Sequence, residues 1–227
     1  MATTEEMVIA FPSSTHGASF AMNYERFLEW EHDGIAEWVD GRVYLYMSTK
    51  LEHQKIVDFL NRLLGLFVQL MKLGVVTTGP YAMRAVPNGP GREPDLMFVA
   101  QQHLARMTSK QLEGPADLVV EVVSDDSVVR DRDEKFFEYQ QASIREYWIV
   151  DPRPNRLRAD FYVLDEQGTY QAIPIGADGV YRSTVLLNFW FKVGWLWDEV
   201  PNPLAAFTQI VGAKAFMASF PQEEGSV

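Results

Sequence analysis

The sequence predicts an α/β (α+β) fold, in which helices flank a mixed β-sheet core and additional β-hairpins follow toward the C-terminus. Three observations support this fold class. Residues 51–72 carry apolar side chains at helical spacing. The segments 117–124 and 147–150 are almost entirely apolar, which is typical of strands covered on both faces. Residues 125–142 connect these two segments and are expected to be helical, so the two strands should run parallel.

The region before the long helix predicts a short helix followed by a β-hairpin. Residues 23–31 have the pattern of a short amphipathic helix, which His32-Asp33-Gly34 ends. The segments 36–39 and 42–47 flank Asp40-Gly41, a dipeptide that strongly favours a tight turn between two strands.

The rest of the chain alternates between turn signals and apolar segments. Gly74 ends the long helix, and Gly79-Pro80 joins the next two strands. Asp151-Pro152 closes the last central strand, after which the pattern changes to hairpins and a terminal helix. The remaining expected strands are 75–78, 81–86, 93–99, 158–164, 170–175 and 186–197, and the terminal helix is 201–211.

Length and composition predict a single domain. A chain of 227 residues, 47% of them hydrophobic, can bury a sizeable core. We expect this domain to span residues 21–214, between a flexible N-terminal tail of residues 1–20 and a C-terminal tail of residues 215–227. The first 20 residues lack the basic and apolar regions of a signal peptide.

Several classes of site are disfavoured. The chain has no cysteine, which excludes disulfides and thiolate metal sites and makes the cytoplasm the expected compartment. No stretch has the roughly 18 uncharged apolar residues of a membrane span. Asn88-Gly89-Pro90-Gly91 lacks the Gly-Lys-Ser/Thr of a phosphate-binding P-loop. The net charge of −11 argues against a large, sequence-independent DNA-binding surface, although local patches and bound cations matter more than the total.

Two carboxylates are the strongest candidates for chemistry. Asp95 follows Pro94 at the head of an otherwise apolar strand, and Glu121 lies in the middle of another. An unpartnered carboxylate buried there costs several kcal/mol or becomes protonated, so a basic neighbour or a cation is expected. Carboxylates on adjacent strands would suit Mg²⁺ or Mn²⁺.

Lys135 is the candidate basic partner. It lies on the helix after the Glu121 strand, and a lysine directed back over that strand can position a water molecule or neutralise charge on a phosphorane. Tyr139 lies one turn further on the same side, where a core role is more typical than a catalytic one.

Taken together, these motifs resemble the Uma family of restriction-endonuclease-like proteins, which is placed in the PD-(D/E)xK nuclease superfamily. The resemblance covers roughly residues 24–204. It rests on Pro94-Asp95, on Val119 to Ser124, on Asp131 to Lys135 with Tyr139, and on Glu146 to Pro152, with His53 and the hairpin Glu37 to Gly41 fitting the same pattern.

The resemblance implies a restriction-endonuclease-like core and divalent-cation-dependent hydrolysis of phosphodiesters. Asp95 and Glu121 would hold the metal, Mg²⁺ or Mn²⁺. In the superfamily pattern a lysine lies two positions after the second carboxylate, where this chain has Val123, so Lys135 would supply the amine from the helix. Glu37 resembles an additional acidic catalytic position. The expected partner is nucleic acid, in the first place DNA, and a two-fold homodimer is expected because double-strand cleavage needs two sites.

Other polar and aromatic residues have simpler interpretations. His53 is expected to be a hydrogen-bonded packing histidine, and Asp131, Asp133 and Glu134 are expected on a solvated face. Two interpretations remain open for four arginines, which either line a phosphate path or are simply solvated: Arg84, Arg92, Arg130 and Arg132. Three tryptophans are expected in a core or a dimer interface: Trp190, Trp195 and Trp197.

Three functions remain open. The first is a Mg²⁺-dependent endonuclease. The second is a nuclease-like fold without catalysis that acts as a homo-oligomeric or nucleic-acid-binding module, as the net charge and Val123 suggest. The third and weakest is a glycosidase with paired carboxylates, against which the neighbouring lysine argues.

Overall fold

The computed structural model describes residues 19–46, 50–125 and 127–218. Most of the two expected tails lies outside these residues. The first strand, Ser19–Ala21, and the last helix, Ala213–Ala218, extend across the two limits expected for the domain.

The structure contains helices and strands in the mixture that the sequence predicts. The strands in chain order are β1 (Ser19–Ala21), β2 (Ile35–Val39), β3 (Arg42–Tyr46), β4 (Gly74–Thr78), β5 (Ala82–Arg84), β6 (Leu96–Ala100), β7 (Gln111–Glu113), β8 (Leu118–Val122), β9 (Glu146–Asp151), β10 (Arg158–Leu164), β11 (Tyr170–Ala172), β12 (Val180–Arg182) and β13 (Trp190–Lys192). The α-helices are α1 (Tyr24–Phe27), α2 (Leu51–Met71), α3 (Lys135–Gln141), α4 (Pro203–Val211) and α5 (Ala213–Ala218). Short 3-10 helices span Gln101–Arg106 and Val193–Trp197, and a π-helical turn spans Arg130–Glu134.

The centre of the molecule is a six-stranded mixed sheet with the strand order β11-β10-β9-β8-β6-β4. Strands β8 and β9 run parallel, as predicted, and the other neighbours run antiparallel. The parallel pair follows from the helical crossover between its strands. Smaller sheets of β1-β3-β2, β12-β13 and β5-β7 surround this core.

The two faces of the sheet bury two separate cores, because side chains alternate along each strand. On one face, Val120 and Val122 pack with helix α2 and the C-terminal segment. On the other face, Val119 and Val123 pack with helix α3 and strand β5. Trp195 and Trp197 pack partly buried against the first core, as expected. Among the described residues, no helix combines the length and apolar character needed to cross a bilayer.

The helix expected over residues 23–31 is much shorter than predicted. Asn23 caps helix α1 by accepting a hydrogen bond from the Arg26 backbone, but the helix ends at Phe27. Beyond it, the Trp30 ring contacts Phe20 of β1, with the ring centroids 5.2 Å apart. Tertiary packing of Trp30 on the small sheet therefore overrides the local helical pattern.

The C-terminal β region also differs from the prediction. In place of one strand over residues 186–197, β13 covers Trp190–Lys192 and continues into a 3-10 helix, Val193–Trp197. Its partner is β12, Val180–Arg182, a strand that was not predicted. These short strands carry too few residues for a clear two-residue period.

Glu146 of β9 ties this C-terminal region to the central sheet. Its carboxylate is fully buried and accepts six hydrogen bonds, at 2.7–3.0 Å, from Trp148 Nε1, Tyr181 OH, Ser183 Oγ, the Thr184 backbone and hydroxyl, and the Val185 backbone. All six donors are neutral, and they fix residues 181–185 against β9.

Candidate active site

Asp95 and Glu121 lie side by side at one end of the central sheet. Asp95 directly precedes β6, whose antiparallel register with β8 pairs Leu96 with Val120 and therefore places Asp95 opposite Glu121. The Asp95 Oδ2 atom accepts a hydrogen bond of 2.7 Å from the Val122 backbone. Both carboxylates are buried, with 7% exposure for Asp95 and 3% for Glu121.

Lys135 is the basic neighbour of Glu121. Its Nζ lies 2.9 Å from Glu121 Oε1, 2.7 Å from Glu37 Oε1 and 3.4 Å from Asp131 Oδ1. The Tyr139 hydroxyl also donates to Glu121 Oε1, at 2.9 Å. The structure therefore brings Glu37, Glu121 and Lys135 together, and it places Tyr139 in contact with them as a buried core residue.

The turn before helix α3 determines where Lys135 points. The backbone N–H of Lys135 donates to the Arg130 carbonyl, which widens the helix by one residue into a π-helical turn. Asp131 lies four residues before Lys135 and is buried beside it. Its expected place on a solvated face was wrong, whereas Asp133 and Glu134 are exposed as predicted. The spacing of four residues from Lys135 was a usable signal for this contact.

Glu37 is fully buried and is surrounded by three positively charged side chains. Its Oε2 accepts from Arg92 Nη1 at 2.8 Å and lies 3.5 Å from Arg130 Nε. Burial alone would raise the pKa of Glu37, but Lys135, Arg92 and Arg130 outweigh it and lower the pKa to about 2. Glu37 is therefore ionised and contacts the same Lys135 ammonium as Glu121.

Most of the four arginines are occupied by protein partners. Arg92 is buried and is bonded to Glu138 as well as Glu37, so it belongs neither to a phosphate path nor to a solvated surface. Arg84 packs over Tyr24 and bonds the Gly89 carbonyl, and Arg132 bonds Asp160. Arg130 alone among the four lines a cavity beside Lys135 in the described part of the chain.

The electrostatics of this cluster are set by burial. Burial raises the pKa of Glu121 to about 8, although the Lys135 ammonium opposes the rise. Burial raises the pKa of Asp131 as well. For Lys135, burial would lower the pKa, but the carboxylates of Glu121, Glu37 and Asp131 raise it above its ordinary value. Lys135 is consequently a protonated donor at neutral pH.

His53 of helix α2 approaches the same site. It is buried, as expected for a packing histidine, but its Nε2 lies 3.2 Å from the Asp95 carboxylate. Val123, at the usual superfamily position of the lysine, is 1% exposed and packs in the second core. The amine beside Glu121 therefore comes from helix α3 and not from the strand.

An inner cavity of about 40 Å³ separates these side chains, and an outer cleft of about 500 Å³ adjoins it. Five residues line both spaces: Ile35, Tyr46, His53, Asp95 and Ser124. The inner cavity exceeds the 10–15 Å³ or so that one water molecule needs. Because Asp95 lines both spaces, a ligand bound in the outer cleft would lie next to the carboxylates of the inner cavity.

The inner cavity fits a small hard cation. Its lining has the carboxylates of Glu37, Glu93, Asp95, Glu121 and Asp131 but only two permanent cations, Arg130 and Lys135. Among the described residues, no three His, Asp or Glu side chains are arranged as a complete metal site. Mg²⁺ commonly takes only one or two carboxylates and completes its shell with water and substrate oxygens. Asp95 and Glu121 would provide those two carboxylates.

Comparisons with known proteins identify the fold and the family of this chain. The structure resembles a crystal structure from Anabaena variabilis ATCC 29413, described as "a putative nuclease belonging to DUF820", with a TM-score of 0.60 and 12% identity over 76% of this chain and 96% of that one. The fold is therefore that of a nuclease-like protein. The Uma2 family, described as "Putative restriction endonuclease", matches residues 24–194, and the chain belongs to this family. The search of curated proteins finds no match.

Proposed function

We propose that this protein is a divalent-metal-dependent endonuclease that hydrolyses phosphodiester bonds in DNA. One observation supports the proposal above all others. Lys135 Nζ lies 2.9 Å from Glu121 Oε1 although Val123 occupies the usual position of the lysine. Glu121 of strand β8 and Lys135 of helix α3 thus meet next to Asp95 at one end of the sheet. Their contact depends on how the helix packs over the strand, because the lysine does not lie on the strand itself.

Four residues of the site would have distinct roles in this reaction. A bound Mg²⁺ or Mn²⁺ would polarise the scissile phosphate and lower the pKa of an attacking water molecule. Asp95 and Glu121 would bind this cation, and the Val122 backbone holds the Asp95 carboxylate in place. Lys135, protonated, would donate hydrogen bonds to the attacking water or to the charge developing on the phosphorus oxygens. Glu37 positions Lys135 through the 2.7 Å ion pair.

The second candidate is a nuclease-like module without catalysis. The observation in its favour is that Lys135 already compensates the buried carboxylates of Glu37, Glu121 and Asp131. A net charge of −11 also disfavours tight binding of long DNA. Under this alternative the cluster is only a buried salt-bridge network.

A cleavage assay separates the two candidates. Supercoiled plasmid and end-labelled single- and double-stranded oligonucleotides are incubated with Mg²⁺, with Mn²⁺ or with a chelator. We expect metal-dependent cleavage by the wild type and a loss of about a hundredfold or more in Lys135→Met. Lys55→Met is the matched control, because Lys55 is an exposed lysine of helix α2.

Either of two results would count against the proposal. Equal cleavage by Lys135→Met and Lys55→Met would remove Lys135 from the mechanism. An inactive wild type with both metals and all substrates would favour the module without catalysis. The single- and double-stranded substrates also test the DNA assignment, with RNA oligonucleotides as the comparison.

We further propose that the active form is a two-fold homodimer in the cytoplasm. Cleavage of both strands of a duplex needs two active sites, which a two-fold dimer provides. Light scattering at micromolar concentration tests this state, and a monomeric mass together with single-strand nicking would contradict it.

A further inference from the structure

Cations are scarce around the two cavities. Of the described residues that line the outer cleft, none is a lysine or an arginine. The inner cavity is lined by two, Arg130 and Lys135. A phosphodiester that enters the site carries a negative charge toward several buried carboxylates. Charge-assisted donors bind such oxygens in proteins, so these two side chains are the candidate protein donors to the phosphate beside any bound metal.

The Lys135 ammonium already contacts three carboxylates, so an incoming oxygen reaches it only by displacing one of them. The Lys135 side chain is 3% exposed, and the three carboxylates of Glu37, Glu121 and Asp131 surround its ammonium within 3.4 Å. An ammonium group has three N–H donors, which matches three carboxylate neighbours.

Arg130 is in the opposite situation. Its side chain is 12% exposed, and its closest carboxylate contacts are longer, with Nε 3.5 Å from Glu37 and 4.0 Å from Asp131. The Nε atom is buried and has no hydrogen-bond partner in the described part of the chain. Since a guanidinium group has five N–H donors and no acceptor, Arg130 retains unused capacity for an anion.

The neighbours of Arg130 hold its guanidinium plane in position. The group lies over the Tyr46 ring, 3.8 Å from the ring centroid, and Tyr46 lines both the inner cavity and the outer cleft. Stacking of this kind favours arginine over lysine, because the planar guanidinium covers the ring and keeps its edge available. Arg130 is also the first residue of the π-helical turn that directs Asp131 and Lys135 inward.

The other arginine beside Glu37 shows what a purely structural role looks like. Arg92 donates three hydrogen bonds of 2.6–2.8 Å to Glu37 and Glu138 and is buried by them. Arg130 shares the partner Glu37 but makes none of these close bonds. The difference indicates that Arg92 fixes Glu37, whereas Arg130 faces the space where a ligand would sit.

We infer that Arg130 binds a non-bridging oxygen of the phosphodiester that enters the inner cavity, and that it is a further substrate-binding residue of the active site. The inference rests on the proposed function for the identity of the ligand. Arg130 keeps its protons throughout, so its contribution is to neutralise and orient the phosphate beside Asp95 and Glu121. The planar guanidinium group can donate to the non-bridging phosphate oxygen both in the ground state and in the transition state.

Binding measurements test the inference separately from cleavage. The probe is a thymidine dinucleotide with a single phosphodiester, titrated by calorimetry in the presence of a chelator and, separately, of Ca²⁺. We expect Arg130→Gln to weaken binding by roughly tenfold to a hundredfold. Arg130→Lys should restore only part of the affinity, because it keeps the charge without the stacked fork.

Arg132→Gln is the matched control, because it removes the same charge two residues away. Arg132 pairs with Asp160 at 2.7 Å and lines neither cavity in the described part of the chain. We expect it to bind the dinucleotide like the wild type. If Arg130→Gln does not fold, Arg130→Lys carries the test, with thermal unfolding as the check.

The outcomes are distinguishable. Equal affinity of the wild type and the Arg130 variants, or no binding by the wild type, would overturn the inference. Tighter binding of inorganic phosphate than of the dinucleotide would overturn the phosphodiester as ligand. Binding that depends on Arg130, without cleavage by any variant, would support the inference while the proposed hydrolysis fails.

Discussion

Two buried glutamates on neighbouring parallel strands, Glu121 of β8 and Glu146 of β9, are satisfied in opposite ways. Glu146 is fully buried on one face of the sheet and accepts six hydrogen bonds from neutral groups. Glu121 lies on the other face, where Lys135 and the Tyr139 hydroxyl contact one and the same oxygen, Oε1. The two environments differ although both residues are glutamates on paired β-strands.

Under the proposed function, the difference separates a structural carboxylate from a metal-binding one. A carboxylate has about four acceptor positions, so the six donors leave no room for another ligand on Glu146. Glu121 retains acceptor positions toward the inner cavity, and burial without enough donors raises its pKa to about 8. Incomplete satisfaction of this kind costs stability and is typical of sites that bind something further.

The largest expected effect is the loss of cleavage in Glu121→Gln. We expect cleavage to fall by about a thousandfold, because the amide removes a negatively charged metal ligand. Without metal, the variant should be roughly 1–3 kcal/mol more stable than the wild type at pH 7.5. The folded-state pKa of Glu121 is raised, so its ionisation costs stability increasingly as pH rises from 4.5 to about 8. Urea unfolding measures the stability, with the exposed Glu166→Gln as control; a destabilised variant would contradict this interpretation.

Glu146→Gln should lower the stability of the fold and leave cleavage unchanged. The substitution replaces one acceptor oxygen by an amide NH₂ group, which would then face hydrogen-bond donors. We therefore expect a loss of about 3–5 kcal/mol in the free energy of unfolding. The fraction that stays folded at low temperature should cleave at the wild-type rate. Urea unfolding and a cleavage assay on the same sample measure both quantities. A stable but inactive Glu146→Gln would erase the distinction between the two glutamates.

Glu37 should give the fold an acid-sensitive contribution. Its pKa of about 2 lies below the ordinary 4.5, so its stabilisation is complete above pH 4.5 and is lost as pH falls toward 2. The shift corresponds to about 3 kcal/mol. We expect Glu37→Gln to be destabilised at neutral pH and the difference from the wild type to shrink below pH 4.5. A difference that does not change with pH would contradict the charged role of Glu37.

The smallest expected effects come from a matched pair of tyrosines. The Tyr139 hydroxyl donates to Glu121 at 2.9 Å, and the Tyr181 hydroxyl donates to Glu146 at 2.8 Å. Replacement by phenylalanine should cost about 1–2 kcal/mol in each case. Only Tyr139→Phe should also lower cleavage, by about tenfold, because its partner Glu121 is a metal ligand of the proposed active site. Equal cleavage by both variants would place Tyr139 in the core alone.

Local sequence signals predicted most of the central fold. Nearly continuous apolar segments located the parallel strands β8 and β9, and the helical period located helix α2. The position of Glu121 in the middle of its strand indicated that it needed a basic or metal partner. The lysine on the following helix was also predicted, because a crossover helix packs back over the strand it follows.

The features that were missed depend on contacts far apart in the chain. Arg92 has the polarity of a surface residue, and only tertiary packing buries it beside Glu37. Asp131 is the exception, because its contact with Lys135 is local and its four-residue spacing was a usable signal. Five of the six donors of Glu146 come from residues 181–185, more than thirty positions away, so no local pattern distinguishes Glu146 from Glu121. The π-helical turn that aims Arg130 likewise has no signature in the periodicity of the sequence.

The most direct test of the central claim is a calorimetric titration of Mn²⁺ into the wild type and Glu121→Gln, with Glu166→Gln as control. If Glu121 is a carboxylate left open for a cation, the wild type and the control bind Mn²⁺ at millimolar concentration or below, and Glu121→Gln does not. If the wild type binds no divalent cation, or if Glu121→Gln binds it equally well, Glu121 is satisfied by Lys135 alone and the metal-dependent mechanism is wrong.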